Sequence, residues 1–370
     1  MAQDQVPNTK HPKGTVRPAE PRRDGMDEAL RRAAPGTGLR EALDNVVSAD
    51  GGALIVIGDH EGVGPLCDGG FALSVPFSPQ RLFELTKMDG AILLDEECKT
   101  ILRANVHLVP DPSIPTSETG MRHRTAERVS LQTSALVISV SRRRRIVSLY
   151  LGGSRISLED VTVVLAKANQ ALQTLQRTRS GLDNALGRLT LLEFDDSVTV
   201  GEAVTAIQRS ELVLRVAKEV ARYVDELGSE GRLVALQAEE LTANAAEDHA
   251  LLIRDYVRSG GVRETADSRN ALARLSQDDL GDDARVAVIL GFPGTADGLE
   301  LPVKSRGYRV LRRIPSLPGA VVNRLVERFA ALATISRATE QQLDEVDGVG
   351  ARRARTIAEG LRRLRDTTLS

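Results

Sequence analysis

The sequence predicts a multidomain chain of class α/β plus all-α, and three observations carry that prediction. Over residues 26–156, short apolar runs of strand character alternate with segments of helical spacing, the pattern of an α/β domain. Over residues 157–291 there is no proline and apolar residues recur three and four apart, which specifies a helical spine. Over residues 292–370 two units follow one another, each a short helix, a tight turn and a longer helix. The 370-residue length also asks for more than one core, since single domains mostly run to roughly 100–200 residues.

Residues 1–25 hold Pro7, Pro12, Pro18 and Pro21 among polar side chains, too little apolar surface to offset ordering, so a disordered extension is expected there. From Met26 to about Val47, Leu30, Leu39, Leu43 and Val46 suggest helices broken around Pro35-Gly36. The strand runs are Ala53–Ile57, Ala91–Leu94, Ala135–Val140 and Ile146–Tyr150, with helices expected at Ser78–Lys87 and Thr125–Thr133 between them. In the spine, Val161, Val164, Leu165, Ala168, Ala171, Leu172 and Leu175 keep helical spacing, and further amphipathic helices fit Val200–Leu227 and Leu233–Ser259. These apolar rows are what helix–helix packing requires, and no chemistry is assigned to them.

Composition narrows the function. Hydrophobic content of 41% and charged content of 27% are those of an ordinary globular protein, and no window approaches the ~20 apolar residues that cross a bilayer. Cys67 and Cys98 form neither a metal-ligand spacing nor a disulfide framework, and without a secretory hydrophobic region they point to a reducing cytoplasm. The net charge of −2 conceals an asymmetry: residues 304–370 carry 14 Lys/Arg against 7 Asp/Glu, leaving the remainder acidic. A basic C-terminal module suits a polyanionic partner, although basic helices are also common solvated faces.

Two short segments carry the chemistry. Asp89-Gly90-Ala91 offers a lone carboxylate beside a glycine, and Thr119-Gly120-Met121-Arg122-His123-Arg124-Thr125 offers a row of phosphate-compatible donors. One carboxylate together with substrate phosphates is the usual protein contribution to Mg²⁺ on a nucleotide. Separately, Asp89-Gly90 also reads as a turn before a strand, and the Arg-His-Arg row as a charged helix start with Ser117 and Thr119 as caps. The four arginines Arg142–Arg145 read first as a solvated edge that discourages sheet pairing, with Ser141 kept as a candidate at the edge of the site. Near the C-terminus, Gly348-Val349-Gly350 leaves helix N-terminal amides free, a geometry that favours phosphate.

In order, the chain reads Lys87-Met88-Asp89-Gly90-Ala91, Ala104-Asn105-Val106-His107-Leu108, Pro110-Asp111-Pro112-Ser113-Ile114-Pro115-Thr116, then G-M-R-H-R-T-A-E-R from Gly120 to Arg128. This order and spacing closely resemble the diadenylate cyclase domain, whose signatures are a D-G-A and an R-H-R segment. Cys67-Asp68-Gly69-Gly70-Phe71 looks like that family as well. The resemblance implies an α/β domain with a mixed sheet, followed by a helical spine and a C-terminal helix-hairpin-helix module. It also implies condensation of two ATP into cyclic di-3′,5′-adenylate with release of two pyrophosphates, in a homo-oligomer whose usual form is an octamer, with branched DNA as a partner.

By the same resemblance, Asp89 is expected to bind Mg²⁺ or Mn²⁺ beside the attacking hydroxyl, and Gly90 to let ribose and phosphate approach the backbone. Arg122, His123 and Arg124 would hold phosphate oxygens, Thr125 would add a hydroxyl or backbone contact, and the Leu108 backbone would meet the adenine edge. His123 as a general acid is the alternative role. Met121 stands where many members of the family carry Thr, at a cost of about 1 kcal/mol if that hydroxyl contacts phosphate. Gly348, Val349 and Gly350 with Arg352, Arg353 and Arg355 are expected to grip DNA backbone, and Leu317-Pro318-Gly319 forms a less regular first hairpin. Two other functions fit parts of the chain: a non-catalytic nucleotide-sensing scaffold that binds DNA, in which Met121 marks decay, and a repair or structural protein served by the hairpins alone.

Overall fold

The computed structural model describes residues 23–259 and 261–369; most of the predicted N-terminal extension lies outside them. The described chain divides into two compact units, one running to Leu165 and including Asp225–Gly231, the other holding Ala166–Val224 and the chain from Arg232 on.

The first unit is built on a mixed sheet of eight strands: β1 (Ala53–Ile57), β2 (Cys67–Asp68), β3 (Phe71–Pro76), β4 (Ala91–Leu94), β5 (Thr100–Leu108), β6 (Leu136–Ser141), β7 (Ile146–Leu151) and β8 (Ser154–Ser157). The order is β2-β5-β4-β1-β6-β7-β8, with β3 also on β5; β1 and β4 run parallel and the other pairs antiparallel. Helices α1 (Arg23–Arg32), α2 (Gly38–Ser48), α3 (His60–Val63), α4 (Pro79–Leu85) and α5 (Met121–Gln132) lie between and before the strands. Thr37 caps α2 by accepting from the Arg40 N–H, and Ser78 caps α4 ahead of Pro79.

Strand alternation distributes the core to both faces of the sheet. Ala53, Ile55 and Ile57 pack with Leu30 of α1, Leu43 of α2 and Leu82 of α4, while Leu54 and Val56 pack with Ala126 and Val129 of α5. Burying both faces explains why β1, β4 and β6 read as continuous apolar runs. Each fully buried Ile or Leu contributes about 1.5–3 kcal/mol. The sequence does not announce β5, because Arg103, Asn105 and His107 interrupt its apolar residues. A bulge with Asn105 at φ 54° accommodates the interruption.

The second unit is helical. The spine consists of α6 (Val161–Asp195) and α7 (Val200–Leu227), each of which begins or ends in the first unit, then α8 (Arg232–Thr242), α9 (Ala245–Tyr256), α10 (Val262–Arg274), α11 (Gln277–Leu280) and α12 (Asp283–Ile289); α13 (Ala296–Leu299) follows it. The span expected as one helix over Leu233–Ser259 is two, parted at Asn244, whose φ of 62° no continuing helix tolerates.

The remaining helices are α14 (Tyr308–Arg312), α15 (Gly319–Phe329), α16 (Leu332–Arg337), α17 (Glu340–Asp344) and α18 (Ala351–Leu369). Leu311, Ile314, Leu317, Leu325, Leu343, Val346, Val349, Ile357 and Leu361 form their common core. A buried ionic cluster ties α14 to the spine. Arg309 donates from Nη2 to Glu193 Oε2 at 2.6 Å and to Thr190 at 2.9 Å, and Asp255 accepts the Tyr308 and Arg309 backbone N–H groups at 2.7 and 3.0 Å. Burial and the neighbouring Glu193 push the Asp255 carboxyl up to about 7, against the pull of those two N–H bonds and of Arg309.

Candidate active site and hairpin module

One edge of the sheet gathers the first motif set. Gly52 precedes β1, Gly90 precedes β4, and Ser141 ends β6, all at that edge by the strand register. Gly90 sits so close to the β5 bulge that a Cβ would lie 2.3 Å from the Asn105 carbonyl carbon and 2.7 Å from the Val106 nitrogen. The glycine expected to admit ribose and phosphate is thus required first by the protein's own backbone. That close approach fixes Asp89 one residue earlier, with its side chain 99% exposed.

Helix α5 begins at Met121, four residues ahead of the expected start, and this places the Arg-His-Arg row in its first turn. Its N-cap is Gly120, with no side-chain cap and no acidic residue in the first turn, so neither Ser117 nor Thr119 performs the capping. A helix start of this kind has free N–H groups and a positive dipole end. The preceding loop is pinned from α5: Arg128 donates to the Ile114 and Pro112 carbonyls at 2.9 Å, and Thr116 bonds Glu127.

Arg122 joins the two motifs. Its guanidinium passes over Gly52, where a Cβ would lie 2.8 Å from Nη1, and reaches Asp89 Oδ1 at 2.9 Å. Segments 33 residues apart in sequence therefore meet through one ion pair. Arg124 is exposed, Thr125 is half-buried on the next turn, and the Met121 side chain is 85% exposed. Ser141 accepts at Oγ from the Arg144 N–H at 3.3 Å, a turn contact at the edge of the site. Leu108 points its side chain into the core, and its backbone is paired with Cys67 of β2, so the adenine contact expected of it has to be shared with that ladder.

His123 has partners that no sequence pattern announced. Its Nδ1 lies 2.9 Å from the Tyr150 hydroxyl; Tyr150 in turn donates to Glu118 at 2.9 Å, and Arg155 donates to the same carboxylate oxygen at 2.7 Å. Burial holds the His123 ring below the usual histidine range, with Arg155, Arg144 and Arg122 acting the same way and Glu118 opposing them. Its Nε2 is buried and has no hydrogen-bond partner among the described residues.

Among the described residues no three His, Cys, Asp or Glu side chains converge as a metal cluster. A divalent cation fits this edge in the way Mg²⁺ ordinarily meets nucleotides, through a carboxylate and the substrate's phosphates, and Asp89 is the exposed carboxylate that would hold it.

The C-terminal unit contains two superimposable turns in sequence terms: Leu311 to Gly319 and Leu343 to Ala351 share one pattern of helix, turn and helix. Ser316 at φ 62° occupies the left-handed position that Gly348 occupies at φ 79°. In the first hairpin Ser316 takes the place of Gly348, and Pro318 that of Gly350. Gly319 begins α15, and Gly319 and Gly350 have open space where a Cβ would stand.

The second hairpin uses some of its expected DNA contacts internally. The Val349 side chain is core, and its N–H donates to the Val346 carbonyl at 2.9 Å. Arg353 donates to the Gly348 carbonyl at 2.6 Å, and Arg324 to the Asp347 carbonyl at 2.8 Å. Arg352 and Arg355 are exposed, Arg355 only 3.7 Å from Glu340.

The mixed sheet, with its D-G-A and R-H-R segments joined at one edge, is that of a diadenylate cyclase, a nucleotidyltransferase. The family model described as DisA bacterial checkpoint controller nucleotide-binding matches residues 40–155, and the one described as DisA bacterial checkpoint controller linker region matches residues 158–299. The DNA integrity scanning protein DisA of Carboxydothermus hydrogenoformans is 50% identical over 340 residues, spanning 92% of this chain and 97% of its own. Its counterpart in Symbiobacterium thermophilum is 51% identical over 343 residues, spanning 93% and 97%. Among solved structures, DacA from Staphylococcus aureus is matched at 23% identity over 36% of this chain and 89% of its own, with a TM-score of 0.30. The chain belongs to the DisA family. Enzymatic membership sets aside the non-catalytic scaffold, and no helix among the described residues is long and apolar enough to cross a membrane.

Proposed function

We propose that this chain condenses two ATP molecules into cyclic di-3′,5′-adenylate and two pyrophosphates, and that its C-terminal module binds branched DNA. The 2.9 Å Arg122–Asp89 ion pair carries the first half, because it puts a carboxylate and the phosphate-binding row within one side chain's reach. Each 3′-hydroxyl oxygen attacks the α-phosphorus of the other ATP; the new P–O bond forms as the bond to pyrophosphate breaks, and the hydroxyl proton leaves. One such edge offers one triphosphate site, so the reaction requires two protomers face to face, and a homo-octamer is the assembly proposed. A bound Mg²⁺ or Mn²⁺ would supply charge neutralisation and acidify the hydroxyl.

The chain's own groups do the rest. Asp89 favours departure of the hydroxyl proton and would hold the cation. Arg122, Arg124 and the N–H groups that open α5, Met121 included, bind triphosphate oxygens and the charge that gathers on leaving pyrophosphate. His123 completes the nucleotide site from the same turn, with Thr125 and Ser141 at the rim and Leu108 beside the base. Gly90 acts by seating Asp89.

For DNA we assign backbone contacts to Gly319, Gly348 and Gly350 and to Arg352 and Arg355 of the helix-hairpin-helix module, with Val349 and Arg353 shaping the turn. Contacts of this type position the protein without reading bases. The relatives' name, which refers to scanning DNA integrity, supports the partner, as does the basic charge of residues 304–370. The division of labour we propose is cyclase over residues 26–156, spine over 157–291 and DNA module over 292–370, in the cytoplasm. Incubating the protein with ATP and Mg²⁺ or Mn²⁺, with and without a four-way DNA junction, tests both halves. Cyclic di-AMP whose yield changes with the junction is expected; product that is indifferent to a junction the protein does not bind would remove the second half.

A further inference from the structure

We propose that Tyr150 and Glu118 are positioning residues for the cyclase reaction: they fix the tautomer and orientation of His123 so that Nε2, an acceptor, is the ring atom left for a hydroxyl of the bound nucleotide. This rests on the reading that His123 belongs to the nucleotide site, and it turns the ring to a nucleotide hydroxyl, since phosphate oxygens also only accept.

The hydrogen-bond inventory decides the tautomer. An ionised carboxylate only accepts, so the single Tyr150 hydroxyl proton goes to Glu118, at 2.9 Å. Arg155 donates to the same Glu118 oxygen at 2.7 Å, and the Glu118 side chain is only 9% exposed. With its proton committed, the Tyr150 oxygen can only accept from His123, at 2.9 Å, so Nδ1 carries the ring proton. Nε2 is then the nitrogen without a bond, and it is buried without a partner among the described residues. A buried polar atom without a partner costs stability unless a ligand supplies the bond, and such atoms in native structures ask for an explanation.

The framework is stiff on every side. Tyr150 is fully buried in β7, and Arg155 of β8 is its register partner, with the guanidinium 6.0 Å from the ring centre. Glu118 is set by its own N–H, which donates to Thr116 at 3.1 Å in the loop that α5 pins. Outer groups that orient metal-ligating histidines typically change activity by about 10–100-fold when removed, and the lower end of that range is the scale expected here.

The test combines the ring spectrum with kinetics on the full chain. With five histidines in the sequence, ¹⁵N-histidine spectra of the wild type and of His123→Gln isolate the His123 signals by difference. The expected wild-type spectrum shows Nδ1 protonated and Nε2 bare, and Tyr150→Phe shifts the ring toward the Nε2-protonated form. A wild-type ring already protonated at Nε2 overturns the proposal. In steady state, Tyr150→Phe is expected to lower kcat about tenfold with KM for ATP within about twofold, and Glu118→Gln, which keeps an acceptor for Tyr150, to lose less. If His123→Gln is inactive while Tyr150→Phe and Glu118→Gln keep wild-type kcat, the positioning role is wrong and the site assignment stands. If His123→Gln turns over like the wild type, the site assignment itself is wrong.

Discussion

Two helix starts in this chain share a preceding glycine and a basic first turn, features that suit phosphate, and they differ in what stands behind them. At α5, Gly120 precedes a first turn containing Arg122, His123 and Arg124; at α18, Gly350 precedes one containing Arg352 and Arg353, with Arg355 a turn on. Neither first turn holds an acidic residue. At α5 an arginine reaches across to an exposed carboxylate, and a buried Tyr–Glu–Arg chain sets a histidine. At α18 Arg353, in the place His123 takes at α5, bends back to its own turn, and a valine plugs the core. On the proposed function, dipole, glycine and arginine hold phosphate at both starts, and the carboxylate and the set histidine, which of the two only α5 has, add the chemistry.

The comparison can be broken most severely at Gly90. Gly90→Ala forces a Cβ into the Asn105 backbone, so the β4–β5 packing that seats Asp89 must shift, with an expected cost of about 3 kcal/mol or more and loss of cyclase activity. Chemical denaturation and product analysis read both, and a wild-type midpoint would show that β5 yields easily.

At α18 the prediction separates arginines that touch DNA from one that shapes the turn. Arg352→Ala and Arg355→Ala should each flatten the plot of log affinity for duplex or junction DNA against log salt by about 0.9. Arg353→Ala should lower affinity by about 1 kcal/mol through the lost Gly348 bond while leaving the slope nearly unchanged. Fluorescence titrations at several salt concentrations distinguish them; equal slope changes for all three would erase the distinction.

Behind the first hairpin lies a buried acid, Asp255, raised by burial and by Glu193 to about 7. Because the folded state binds this proton more tightly than the unfolded chain, its contribution to stability is full at acid pH and is lost as pH rises from about 4 through about 7. Asp255→Asn should flatten that part of the pH dependence of unfolding, measured against the wild type in parallel. Met121→Thr should do least: Met121 is exposed at the first position of α5, and an added hydroxyl alters turnover by no more than about 1 kcal/mol, or roughly fivefold.

How much of this was legible follows from which signals are local. The buried strands β1, β4, β6 and β7 and the helix α7 are local apolar patterns, and the sequence shows them. Strand β5 is set by tertiary contact at a bulge, so its polar residues conceal it. The start of α5 is concealed for a similar reason, since Gly120 caps it without a side chain and its first turn is charged rather than amphipathic. Both motif segments stood out by residue type, yet their meeting through Arg122 depends on the β1–β4–β6 register. Tyr150 and Glu118 looked like ordinary strand and loop residues, and only the fold brings them to His123.

On the proposed function, Asp89 is the group that turns phosphate holding into phosphoryl chemistry. Asp89→Asn, isosteric and fully exposed, should leave the oligomer and ATP binding in place while cyclic di-AMP formation from ATP and Mn²⁺ falls at least about 10²-fold, as read by chromatography of the products. Undiminished cyclic di-AMP from an intact Asp89→Asn oligomer would contradict the account.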